Sequence, residues 1–186
     1  LPTFEGLKKI GLLSKIKSPV SFITIKTEQL MALKTGDKAP KFTLRDSQTN
    51  EVSLDDYKEK NVVLLFFPLA FTGVCTTELC SMRDDISNYQ KLDAEILAVS
   101  VDSPFSLAKF KEEQDLNFSL LSDFNKEVAR AYDCLYEDFV LGLKGIAKRS
   151  AFVIDGEGVV RYAEVLENAG ELPNFVAVKE TLESLN

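Results

Sequence analysis

The chain of 186 residues contains no histidine at all and only three cysteines. Without histidine, a Ser-His-Asp triad, a Cys-His nucleophile pair and a histidine-ligated metal are excluded. Three cysteines are an odd number, and their spacing is not that of a secreted disulfide scaffold, so a reducing, cytoplasmic setting is expected. Three thiols alone rarely build a structural zinc site, and neither a metal nor an organic cofactor is called for. No run of 18 apolar residues occurs, so no membrane span is expected. Acids outnumber bases 29 to 22, a formal charge of −7, which argues against nucleic acid or an anionic bilayer as partner. No G-x-G-x-x-G follows the first apolar run and no P-loop signature occurs, which removes the main support for dinucleotide or nucleotide binding.

What is present suits one globular domain: 45% of residues are hydrophobic, and glycine and proline are ordinary in number. Residues 1–30 stand apart. Lys8, Lys9, Lys15, Lys17 and Lys26 against Glu5 and Glu28 give them a net charge of +3, which leaves about −10 for the rest. This segment reads as an N-terminal extension or an organellar targeting peptide, and residues 31–186 as the domain. It lacks arginine and the apolar core and small-residue cleavage site of a secretory signal.

Within the domain the pattern alternates between strands and helices. Residues 41–46 and 50–57 read as a hairpin. The run NVVLLFF at 61–67 is continuous, apolar and β-branched, as in a strand buried on both faces, and Pro68 stops it. Apolar residues Val74, Leu79, Met82, Ile86 and Tyr89 predict a helix over 74–91. A second buried strand is expected at 95–102, and a helix at 104–115 with Ser103 as N-cap and Pro104 in its first turn. A short extended piece at 118–123 and a short helix at 125–132 follow. Residues 150–165 predict a hairpin around Gly156-Glu157-Gly158, and 173–185 a last helix. This order implies an α/β fold with a central mixed sheet flanked by helices, since the last two strands must run antiparallel.

Chemistry concentrates in residues 66–85, FFPLAFTGVCTTELCSMRDD. Cys75 falls where a buried strand has ended and a helix opens. Free amide N–H groups and the positive dipole end favour an anion there, and such placement lowers a thiol pKa. A packed core cysteine is the alternative. The Thr72 hydroxyl, three residues before the sulfur, can contact both a thiolate and an incoming peroxide, or can serve as the helix N-cap. Pro68 fixes the loop and shields the site, or merely ends the strand.

Together Pro68, Thr72 and Cys75 form P-x-x-x-T-x-x-C, which resembles the active-site signature of the peroxiredoxin family. Over residues 34–184 the segments GDKAPKFTL, FFPLAFTGVC, LLSDF, ARAY and FVIDGEGVVRY also read as peroxiredoxin segments. The FFPLAFTGVCTTEL stretch resembles the alkyl hydroperoxide reductase E type. Cys80, five residues after Cys75, resembles the resolving cysteine of the bacterioferritin comigratory protein type.

The resemblance implies a thioredoxin-like fold with peroxiredoxin insertions and a thiol-dependent peroxidase acting on hydrogen peroxide and organic hydroperoxides. It implies antioxidant defence through a cysteine sulfenic acid, with thioredoxin or another thiol as reductant and a homodimer as assembly. Arg149, directly before a β-run, matches the family's arginine that stabilises the thiolate and the polarising O–O bond. Glu78 matches the glutamate that orients this arginine, and Arg83 sits in a segment similar to the family's LRD helix.

On a continuous helix the α-carbons of Cys75 and Cys80 lie about 8.5 Å apart, beyond the reach of about 7 Å for a disulfide. Resolution by Cys80 therefore implies that the first helical turn unwinds; the alternative is a buried helix residue in a one-cysteine enzyme completed by an external thiol. Cys134 is expected to be a packed or idle thiol, with an alternative resolver as the lesser reading. Phe71, Phe105 and Phe124 are either core residues or a dimer contact near the site. Two other readings compete. A thioredoxin-fold disulfide reductase needs C-x-x-C, and the spacing here is C-x-x-x-x-C. A redox-regulated chaperone would not depend on Cys75.

Overall fold

The structure is a computed structural model and describes residues 32–185. The extension expected at 1–30 lies outside the described residues. The strands are β1 (Thr43–Asp46), β2 (Glu51–Ser53), β3 (Asn61–Phe66), β4 (Ala94–Ser100), β5 (Ser119–Ser122), β6 (Leu135–Tyr136), β7 (Ile146–Ala147), β8 (Ser150–Ile154) and β9 (Val160–Val165). The α-helices are α1 (Gly73–Lys91), α2 (Pro104–Glu113), α3 (Glu127–Ala131) and α4 (Phe175–Glu183).

Seven strands form one sheet in the order β2-β1-β5-β4-β3-β8-β9. Strands β3, β4 and β5 run parallel, β8 lies antiparallel beside β3, and β9 lies antiparallel beside β8. The sheet is mixed, as the sequence pattern requires. The two-stranded β6-β7 ribbon stands outside it and is too short to leave a periodic signature.

The apolar run of β3 divides by the period of two between the faces of the sheet. Val63, Leu65 and Phe67 join a core with Leu79 and Met82 of α1, Phe110 of α2 and Leu182 of α4. Val62, Leu64 and Phe66 join a second core with Tyr132, Phe152 and Ile154. Each such side chain, taken out of water, stabilises the fold by roughly 1.5–3 kcal/mol. Both faces being covered, β3 has no polar alternation to show.

Capping sets the helix starts. Ser103 Oγ accepts from Ser106 N–H at 3.2 Å, as expected of the α2 N-cap. Asp123 caps α3 by accepting from the N–H groups of Glu127, Val128 and Ala129. Asn174 caps α4 through Ala177 N–H, so α4 begins two residues later than the apolar pattern predicts. Among the described residues no helix is long and apolar enough to cross a membrane.

Candidate active site

The site lies where β3 ends. Pro68–Phe71 carry the chain from the sheet into α1, and this loop is tied down by Asp102, whose Oδ2 accepts from Ala70 N–H and from Ser100 Oγ, both at 2.8 Å. Phe71 then takes a left-handed backbone conformation, φ 63°, with its ring against Phe110 at 5.0 Å. Thr72 is extended and occupies the N-cap position. Cys75 is therefore the third residue of the helix, among the amide groups that have no intrahelical acceptor.

The Thr72 hydroxyl does not cap these amides. It donates to the Leu69 carbonyl at 2.8 Å, not to the Cys75 sulfur. Thr72 and Cys75 nevertheless line the same cleft.

Strand pairing delivers the arginine. Ser150 pairs with Phe66 across the β8–β3 ladder, which sets Arg149 beside the end of β3 and the start of α1. Its side chain is 1% exposed. Nη2 donates to Cys75 Sγ at 3.3 Å and to the Ala169 carbonyl at 3.0 Å. Nε donates to the same carbonyl at 3.3 Å, and Nη1 donates to Glu78 Oε2. The cation is thus held by a carboxylate on one side and a backbone oxygen on the other, with the sulfur between them.

Glu78 is three residues after Cys75, on the same side of α1, and is fully buried. Its Oε1 has no hydrogen-bond partner. Burial pushes the carboxyl up to about 7, against the opposing pull of the Arg149 charge.

A cleft of about 630 Å³ opens onto this group. Pro68, Thr72, Cys75 and Arg149 line it on one side, and Tyr136, Phe139 and Val140 on another. Pro68, Thr72, Cys75, Glu78 and Arg149 are therefore gathered at one place, although they come from a loop, a helix and a distant strand edge.

Other residues singled out from the sequence lie elsewhere. Cys80 is half-buried further along α1, with its thiol 3.6 Å from Gln114 Oε1. Arg83 pairs with Asp84 and donates to the Gln114 carbonyl at 2.6 Å, closing the end of α2. Cys134 is buried in the second core, and burial pushes its thiol far up. All three thiols are free. Phe71, Phe105 and Phe124 are exposed rather than core.

The sequence reading did not single out Asp102, Tyr136 or the Ala169 carbonyl. A backbone acceptor leaves no mark in residue identity, and the partners of Asp102 and Tyr136 emerge only from tertiary pairing.

The model of the AhpC/TSA family matches residues 35–163. The chain is 41% identical over 143 residues to the alkyl hydroperoxide reductase E of Mycobacterium bovis, covering 75% of this chain and 90% of that protein. It is 39% identical over 134 residues to a putative peroxiredoxin of Mycobacterium tuberculosis, covering 71% and 85%. Among solved structures, the peroxidoxin BcpB of Mycobacterium tuberculosis superposes with a TM-score of 0.73 at 29% identity, over 83% of this chain and 99% of that one. A peroxiredoxin-like protein of Aquifex aeolicus gives 0.76 at 28% identity, over 84% and 90%.

The chain belongs to the AhpC/TSA family, the peroxiredoxins. Its activity is that of a thiol-dependent peroxidase, an oxidoreductase that removes peroxide.

Proposed function

We propose that Cys75 is the peroxidatic thiol, acting as a thiolate held by Arg149 at the open end of α1. The observation that carries this reading is the contact of 3.3 Å from Arg149 Nη2 to Cys75 Sγ, at the base of a cleft. The thiolate attacks the terminal oxygen of a hydroperoxide. The S–O bond forms as the O–O bond breaks, and the electron pair leaves with the distal oxygen, which takes up a proton to give an alcohol or water. Cys75 becomes a sulfenic acid. Arg149 and the free amides of Gly73, Val74 and Cys75 face the developing negative charge without needing to reorganise. Pro68 keeps the loop in place. The Thr72 oxygen, whose O–H donates to the Leu69 carbonyl, keeps lone pairs to accept the hydroperoxide O–H.

Cys80 then attacks the sulfenic acid, forming a disulfide and releasing water. With both cysteines on one continuous helix, this step requires the first turns of α1 to open. Thioredoxin, or another dithiol, reduces the disulfide. The enzyme works as a cytoplasmic homodimer, and the exposed Phe71, Phe105 and Phe124 support a contact between copies.

Trapping with a sulfenic-acid reagent after one equivalent of peroxide, read by peptide mass spectrometry in Cys80→Ser, tests the assignment. Labelling confined to Cys75 supports it. Labelling of Cys134 instead, or of no cysteine, contradicts it.

A further inference from the structure

We infer that Tyr136 is a positioning residue for the peroxidase, acting through Ala169 and Arg149. The inference rests on Arg149 serving Cys75 as proposed above. Strand β9 ends at Val165, so residues 166–170 lie beyond the sheet. Yet the Ala169 carbonyl in this segment accepts two of the hydrogen bonds that Arg149 donates. Without that acceptor the guanidinium would be fixed only at Nη1, by Glu78, and would be free to pivot away from the sulfur. Something must therefore hold the segment at the right height.

Besides Arg149, two side chains among the described residues reach it. The Tyr136 hydroxyl donates to the carbonyls of Glu167 at 2.8 Å and Leu166 at 3.3 Å. The Lys148 ammonium pairs with the Glu167 carboxylate, which is 80% exposed and so a weak anchor. A single further tie, Leu166 N–H to the Arg149 carbonyl at 2.9 Å, comes before the turn. Beyond it, among the described residues, Gly170 and Glu171 bond only back to Asn168. Tyr136 itself is well anchored. Its backbone pairs with Ile146 across the β6–β7 ribbon, its ring packs on Phe139 at 4.9 Å, and the Lys148 ammonium lies 5.5 Å from its centre. Burial raises the phenol, which stays a donor at neutral pH. The small β6–β7 ribbon thus acquires a purpose: it carries the hydroxyl that sets the height of the Ala169 carbonyl.

Tyr136→Phe is the informative variant. It keeps the ring, its packing and the ribbon pairing, and removes only the hydroxyl. The single-turnover rate of Cys75 with hydrogen peroxide should fall about tenfold, given how steeply misplacement of a catalytic group lowers rate. In an Arg149→Gln background the same change should alter the rate less than twofold, since the hydroxyl then has nothing to position.

A merely structural role predicts an equal loss of rate in both backgrounds. That result overturns the inference, as does a Tyr136→Phe rate within twofold of wild type. Failure of the underlying reading looks different: wild-type Cys75 itself would react no faster than a free thiol.

Discussion

Arg149 and Glu78 form an ion pair with both side chains essentially out of solvent, 1% and 0% exposed, and the same arginine touches the sulfur of Cys75. Two opposite charges removed from water together are tolerable, whereas either one alone is not. This pairing explains how a chain with no histidine holds a cation against a cysteine: the guanidinium is anchored by a carboxylate one helical turn from the sulfur.

Removing the cation should therefore show twice. Arg149→Gln should lower the second-order rate with peroxide about 10²–10³-fold, the range seen when a preorganised donor is lost, as read by stopped-flow fluorescence. It should also destabilise the fold, and more at pH 8 than at pH 6. Glu78 without its partner is tolerated in the core only when protonated. Urea titrations at the two pH values check the second part.

The raised Glu78 carboxyl predicts a pH dependence of stability with a definite sign. Between its ordinary value of 4.5 and about 7 the folded state keeps a proton that the unfolded state has released. Stability from this group is therefore full below about 4.5, falls as pH rises through about 7, and is level above. Proton linkage sets this sign. Glu78→Gln should flatten this slope, which urea unfolding from pH 4.5 to 8 measures.

Asp102 should matter although it lies outside the cleft, because its carboxylate holds the Ala70 amide of the loop before α1. Asp102→Ala should cost about 1 kcal/mol, the scale of one hydrogen bond between half-buried groups. It should also speed hydrogen exchange at Ala70 before it alters exchange in β3. Uniform acceleration across the sheet would contradict a local latch.

Cys80→Ser separates the two ways of completing the cycle. If Cys80 resolves, wild type treated with one equivalent of peroxide carries a Cys75–Cys80 disulfide by mass spectrometry and the variant stops at the sulfenic acid. Opening of α1 should then appear as loss of helical circular dichroism on oxidation in wild type alone. A wild type that also stops at sulfenic acid places resolution with an external thiol.

Much of this was legible beforehand, and the reasons are physical. A strand buried on both faces must be apolar throughout, so β3 declares itself, and the same run locates the loop and the helix opening at Cys75. Hydroxyl caps are local, so Ser103 was readable as the start of α2. Arg149 was found through its resemblance to a family pattern; nothing in its spacing reveals that Ser150 pairs with Phe66 and brings it to the sulfur. The Thr72 hydroxyl went to the Leu69 carbonyl because a turn offers its own acceptor, a choice that residue type does not reveal. Arg83 pointed to the end of α2 for the same kind of reason. The Ala169 carbonyl and the β6–β7 ribbon were invisible, one being backbone and the other only two residues per strand.

The most direct test is the stopped-flow rate of the reduced protein with hydrogen peroxide and with an alkyl hydroperoxide, for wild type and Cys75→Ser. A wild-type rate constant above about 10⁴ M⁻¹s⁻¹, within the usual enzyme range, abolished in Cys75→Ser and retained in Cys134→Ser, is the predicted result. Cys75→Ser reacting as fast as wild type, or wild type reacting no faster than a free thiol, would contradict the assignment of Cys75.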